Sequence, residues 1–183
     1  MVWSGRPLEI HTANSIATIR AANSQDTVKL FSLRKKALLD HPTAFGANGL
    51  QSEAKYLEWV EGLISADRQY TLPLVVSEVE DLIGMGVIRR GTSPKQAHSA
   101  EINAIYLLPE WRGYGLVQAL LDTMEAWARS MGVVVIKLQV TTVNFAAIRA
   151  YEKAGYKIYA TDPMVLYVNK AYLDEYLMVK VLD

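Results

Sequence analysis

Apolar side chains recur at Leu116, Leu120, Met124 and Trp127, with Leu121 and Ala128 widening the same face. That spacing predicts an amphipathic helix, and Gly132 stands where its C-terminal cap belongs. On either side the pattern changes to apolar runs of strand length, over 100–108 and 133–140. Asn144 then offers an N-cap and Gly155 a left-handed stop, so a further helix of about three turns is expected between them. The tail predicts a hairpin of 164–168 against 173–181, turning at Asn169 and Lys170.

Upstream, residues 16–20 read as a strand, and Ser24 or Asp26 can cap a helix over about 27–39 that His41-Pro42 stops. A second helix is expected over 52–64, and 42–50 is a glycine-bearing loop between the two. Glu53, Glu58 and Glu61 read as the solvated surface of that second helix. Residues 70–76 and 82–89 form a hairpin around Glu78, Val79, Glu80 and Asp81, and the polar stretch 91–99 reads as a mobile connection. Residues 1–15 read as an N-terminal extension. The order is strand, two helices, three strands, helix, strand, helix, two strands. No repeat, low-complexity tract or interdomain linker interrupts it, so a single domain over 1–183 is expected.

The junction of the 100–108 strand with the helix from Leu116 carries the first chemistry. It runs Leu108-Pro109-Glu110-Trp111-Arg112-Gly113-Tyr114-Gly115-Leu116-Val117. The first N–H groups of a helix lack intrahelical partners and lie at the positive end of its dipole, so a diphosphate can be held there by main chain. Gly113 and Gly115 let the backbone come close, and Arg112 adds charge.

This run resembles the acetyl-CoA loop of the GNAT superfamily of N-acetyltransferases, whose pattern is Arg or Gln, two residues, Gly, one residue, then Gly or Ala. Arg112 and Gly115 fit it, and Val117 departs from it with a β-branched side chain where the family carries little or none. A second segment, from Asn144 through Ala147 and Tyr151 to Gly155-Tyr156, is similar to the family's next motif, at the family's spacing. Residues 33–46 resemble the first helix and loop of a small-molecule-type branch, a loop that covers the acceptor side.

The resemblance implies an α/β fold with a central, twisted, mostly antiparallel mixed sheet of six to seven strands, flanked by about four helices. In the family the strands equivalent to 100–108 and 133–140 splay apart and the pantetheine arm lies between them like a further strand. The resemblance makes acetyl-CoA the cosubstrate, with no metal. It assigns cofactor contacts to main chain at Tyr106, Leu107 and Leu108, to Arg112, Gly113, Tyr114, Gly115, Leu116 and Val117, and to Asn144, Ala147 and Tyr151. One backbone N–H aimed at a thioester oxygen contributes roughly 3 kcal/mol.

Tyr151 is the candidate general acid for the departing thiolate, since a phenol of reference pKa about 10 is protonated at neutral pH. Glu101 is the candidate base; by alternation it shares a face with Asn103 and Ile105 unless a bulge intervenes. His41 is the runner-up on the acceptor side, and Arg89, Arg90 or Arg112 can help with the phosphates. The acceptor is a primary amine, of a small molecule if the first helix is the guide. A protein N-terminus or lysine, and a non-catalytic acyl-CoA sensor of the same fold, are the alternatives. Family members are often homodimers that pair through edge strands or the C-terminal region.

Composition narrows the rest. The 183 residues are 51% hydrophobic, enough for one well-buried core. Nineteen basic and nineteen acidic residues give no global field for nucleic acid or an anionic membrane. The absence of cysteine excludes disulfides and a thiol nucleophile and accords with the cytoplasm. No run of about eighteen apolar residues occurs, so no membrane span is expected. Histidines 11, 41 and 98 are widely separated and give no metal-ligand spacing. A third glycine for a dinucleotide fingerprint, the Lys-Ser/Thr of a P-loop and a nucleophile elbow are all missing.

Overall fold

Strands buried on both faces mark the centre of a sheet, and two here are nearly continuous apolar runs: β3 (Thr71–Glu78) and β4 (Asp81–Arg90). The computed structural model describes residues 5–12, 15–44 and 53–182. Around the central pair lie β1 (Leu8–His11), β2 (Ile16–Ala21), β5 (Ser99–Leu107), β6 (Val135–Thr141), β7 (Lys157–Val168) and β8 (Ala171–Val181). They form one eight-stranded sheet in the order β1-β2-β3-β4-β5-β6-β8-β7. Every neighbouring pair is antiparallel except β5 with β6, which is parallel.

Helices cover both faces. On one, α3 (Leu116–Ser130) and α4 (Phe145–Lys153) bury Leu116, Leu120, Leu121, Met124, Trp127, Ile148 and Tyr151 against Ile19, Leu74, Ile88, Ile102, Ile136 and Met178. On the other, α1 (Thr27–Asp40) and α2 (Glu53–Ser65) set Leu30, Leu33, Ala37 and Val60 on Val75, Leu82, Met85 and Tyr106. The apolar stripe read from the sequence is thus the buried face of α3. Gly86 explains how closely α3 lies on β4, because a Cβ there would come within 2.5 Å of Met124 Cε and 3.0 Å of Leu120 Cδ2. No helix among the described residues is long and apolar enough to cross a membrane.

Three differences from the sequence reading have physical causes. Leu8–His11, expected to lie in an N-terminal extension, pairs with β2 and adds the eighth strand. Four residues are too few to display a periodicity, and only the pairing makes them a strand. The last hairpin begins earlier than expected, at Lys157, because β7 tolerates Pro163 at the sheet edge, where a ladder N–H is not needed. The register shifts between Asp162 and Leu166, and Met164, at φ 54°, donates its N–H to Asp174 Oδ1 at 2.8 Å. The stretch 91–99, expected to be mobile, is closed by Gly91 N–H to Ser99 C=O and by Arg90 Nε to Ala97 C=O. The expected loop 42–50 is described as far as Ala44, and the expected helix start at Ser52 lies outside the described residues.

Asp26 stands at the N-cap position of α1, as one of the two expected residues, but its carboxyl makes no cap bond to that helix; it instead closes a capping box with Asn23 on the short turn Ser24–Asp26 that leads in. Asn23 Oδ1 accepts from Gln25 N–H, and Asp26 Oδ2 accepts from Asn23 N–H at 2.8 Å. Asp26, 4% exposed, also receives both terminal nitrogens of Arg20 at 2.7 Å each. Burial opposes its ionisation, but the Arg20 and Asn23 hydrogen bonds prevail and hold its carboxyl below the usual range. A lowered native pKa adds stability that is present above the unfolded value and lost as pH falls through the native one. Asp26→Asn should therefore cost about 2 kcal/mol in urea unfolding at pH 7. The gap to wild type should close below about pH 4; a gap that persists unchanged into acid would contradict this assignment.

Candidate active site

The parallel ladder of β5 with β6 covers only Ser99↔Val135 to Ile102↔Leu138. Beyond it, β5 runs on to Leu107, held by β4 through Gly84↔Leu107, and β6 runs on to Thr141, held by β8 through Thr141↔Glu175. Each strand is anchored on its outer side only, so the two part from residue 103 on one and 139 on the other. This is the expected splay. Leu108 donates its N–H to Ile83 C=O at 2.9 Å on the β4 side. By alternation, the N–H and C=O of Leu107 face the gap, and that carbonyl accepts from Arg112 Nε at 3.1 Å.

A bulge sets what lines the two faces at this point. The register steps from Val87↔Asn103 to Met85↔Tyr106, and Ala104 takes up the extra residue at φ 57°. Ile105 therefore packs on the α3 side, and Tyr106 takes the α1 side with Asn103. Simple alternation would have placed Ile105 with Glu101 and Asn103.

At the open end of the gap a short turn (Pro109–Trp111) leads to α3, with Gly113 at φ 88° and Gly115 at φ 78°. Gly115 is the N-cap and its conformation is one that a side chain would strain. The helix opens with Ala119 N–H on Gly115 C=O, so the N–H groups of Leu116, Val117 and Gln118 precede that first bond and point out of the helix end. Val117 is partly buried against the main core, so its branch is directed into the protein. Tyr114 is 42% exposed, with its ring tilted against Trp111.

α4 stands on the β6 side. Asn144 caps it, accepting from Ala147 N–H at 3.3 Å, and Ala147 packs on the core. Tyr151, 9% exposed, lies edge-on to Tyr156 at 6.3 Å. Burial pushes its pKa up to about 12, so the phenol carries its proton throughout the neutral range. Behind it Lys180 Nζ joins Glu125 of α3, at 2.7 Å, to the Ala154 carbonyl at the end of α4, also at 2.7 Å. That link fixes α4 on α3, and no sequence pattern pointed to it.

Glu101 is exposed on the α1 face where the ladder is still closed, between Arg89 on β4 and Lys137 on β6. Arg89 and Arg90, considered for phosphate binding, lie at the end of β4 remote from the α3 turn. Arg89 donates to Asn103 Oδ1 at 2.7 Å. Near it Arg34, 8% exposed, stacks on Trp59 at 4.8 Å. Burial lowers the Arg34 pKa to about 10, with Tyr56 opposing the shift and the charge of Arg89 adding to it. These cations share the sheet face that α1 and α2 cover. Arg34 was hidden from sequence reading within a helix that looked merely amphipathic. Arg112 is turned toward α1, with Nη2 2.8 Å from His41 Nε2.

The sequence model of the acetyltransferase (GNAT) family matches residues 34–156, a span that takes in the splay, the glycine turn and α4. The chain belongs to the GNAT acetyltransferase family. An L-amino acid N-acetyltransferase of Escherichia coli is 32% identical over 127 residues, 67% of this chain and 75% of its own length. An uncharacterized N-acetyltransferase of Mycobacterium tuberculosis is 31% identical over 99 residues, and the chain spans 60% of its length. Among solved structures, a putative acetyltransferase of Salmonella typhimurium, with its cofactor acetyl-CoA, superimposes with TM-score 0.77 at 25% identity. It covers 91% of this chain and 94% of its own. An N-acetyltransferase of Staphylococcus aureus shares the fold with TM-score 0.79 at 22% identity, over 91% and 99% of the two chains. The GNAT chain is accordingly an N-acetyltransferase, an enzyme that transfers an acyl group.

Proposed function

We propose that this enzyme is one acetyltransferase domain that moves an acetyl group from acetyl-CoA to the primary amine of a small, carboxylate-bearing molecule, in a ternary complex in the cytoplasm. The observation that carries the reading is the gap between β5 and β6, with the main-chain N–H of Leu107 on one wall, Tyr151 of α4 on the β6 side, and the N-terminal end of α3 at its mouth. These groups fit a long polar arm with an anionic end. Acetyl-CoA supplies the activated acetyl thioester. Leu107 N–H faces the side where the carbonyl oxygen gains charge, the N–H groups that open α3 hold the diphosphate, and Tyr151 gives its proton to the sulfur. Glu101 is the proposed base; six positions along β5 from Leu107 it is beyond the reach of a single water, so its role requires a relay of several waters along the α1 face.

Two things support an amino acid as the acceptor. Arg89 and Arg34 bring paired positive charge to the acceptor face, which suits a carboxylate. The Escherichia coli relative is named for L-amino acids. The sensor alternative drew on Val117 and on the uncertain base; that Val117 is partly buried against the main core supports an unobstructed loop and so the catalytic reading. A homodimer is supported by the β7–β8 edge, where Tyr159, Met164, Tyr167 and Tyr172 are exposed.

The function is tested by calorimetric titration with acetyl-CoA, followed by CoA release with a panel of amines that pairs each α-amino acid with its amide. Binding with release favouring the free acid is expected. Binding without release from any amine, or no binding, would refute the reading. Tyr151→Phe should lower kcat roughly 100-fold while acetyl-CoA affinity stays within a few-fold; an unchanged kcat removes Tyr151 as the acid. Glu101→Gln should lose rate chiefly near neutral pH and recover it as pH rises and the amine deprotonates unaided, whereas a constant ratio to wild type would dismiss Glu101 as the base. Sedimentation should find two copies per particle, and a monomer at all concentrations would exclude pairing along β7–β8.

A further inference from the structure

α1 ends on Asp40 and His41, and these consecutive residues hold consecutive residues of β5. Asp40 Oδ2 accepts from the Tyr106 hydroxyl at 2.9 Å, and that hydrogen bond keeps its carboxyl below the usual range. His41 Nε2 lies 2.8 Å from Arg112 Nη2, and Arg112 Nε donates at 3.1 Å to the Leu107 carbonyl. A guanidinium has donors only, so Nε2 must offer its lone pair and the proton of a neutral ring sits on Nδ1. The peptide between Leu107 and Leu108 is thereby held at both ends, its oxygen by Arg112 and its N–H by Ile83 C=O at 2.9 Å.

We propose that neutral His41 is a positioning residue of the transfer reaction, fixing through Arg112 the backbone at Leu107 whose N–H faces the gap. This rests on acetyl transfer occurring in that gap. It also takes His41 out of contention as the base, because its available lone pair is committed to Arg112. Protonation would set an N–H against the guanidinium and release Arg112 from the ring. The groups that face His41 decide when that happens. Burial and then the Arg112 charge push its pKa below the ordinary value, while Asp40 pulls the other way. Asp40 is itself shared with Lys36 at 3.3 Å and with Tyr106, whose ring meets the imidazole edge at 6.0 Å. Glu110, in the turn after β5, adds negative charge beside Tyr106. The clamp is therefore closed at neutral pH and opens on the acid side.

The test compares wild type with His41→Gln, whose side-chain oxygen can accept from Arg112 without titrating, and with His41→Leu, which cannot accept. CoA release gives kcat and both KM values from pH 5.5 to 8.5, and nitrogen NMR of the three histidines follows the ring directly. His41→Leu should lower kcat about ten-fold at pH 8 with acetyl-CoA affinity changed less than three-fold. His41→Gln should keep most of kcat, and its ratio to wild type should rise as pH falls. The His41 pKa should rise in Arg112→Gln, with Nε2 unprotonated in wild type at pH 7. A flat ratio in an active enzyme, wild-type kcat in His41→Leu, or a proton on Nε2 would overturn this inference alone. No turnover with any amine would instead overturn the acetyl-transfer reading and this inference with it.

Discussion

The arrangement of the site depends on a ladder that stops. Backbone donors and acceptors inside a protein are nearly always paired, and an interior strand ordinarily meets that demand along its whole length. Here β5 and β6 share only four residue pairs, up to Ile102 and Leu138. Past that point each strand is claimed by its outer neighbour, β5 by β4 and β6 by β8, and the right-handed twist of a large sheet carries them apart. The inward-facing main chain of residues 103–107 is left to bond something that is not part of the sheet. A linear molecule with amide groups satisfies it as a strand would.

Keeping such a gap open requires rigid walls. One is β5, stiffened by the bulge at Ala104, by the Gly84↔Leu107 pairing, and by the clamp from α1 through Tyr106 and Arg112. The other is β6 with α4, which Lys180 and Glu125 tie to α3 through partly buried, charge-assisted hydrogen bonds. α3 belongs to both. It lies close on β4 at Gly86 and presents the N–H groups of its first turn at the mouth, where the proposed reading puts the diphosphate. Tyr151, whose buried phenol resists ionisation, is placed by the same helix-to-helix contact.

Much of this was legible in the residues because it depends on local chemistry. The α3 stripe, the glycines at positive φ, the Asn144 cap and the two motifs are short-range patterns, and each is where the sequence put it. The β5–β6 splay followed from the resemblance. What stayed hidden depends on tertiary pairing. Leu8–His11 becomes a strand only beside β2, and Lys157–Val168 carries a proline that reads as a break until it is seen at an edge. The place of Arg112 in the motif gave no sign that its side chain reaches back to His41, 71 positions earlier in the chain. Arg34 and Arg89 approach each other only once α1 is laid on β4.

Hydrogen exchange of the β5 amides with and without acetyl-CoA tests the central claim most directly. If the gap receives the cosubstrate as a further strand, the gap-facing amides within 103–107, Leu107 among them, slow markedly on binding, while those of 99–102, already paired with β6, do not change. Binding that leaves 103–107 exchanging as before would place acetyl-CoA elsewhere and contradict the account.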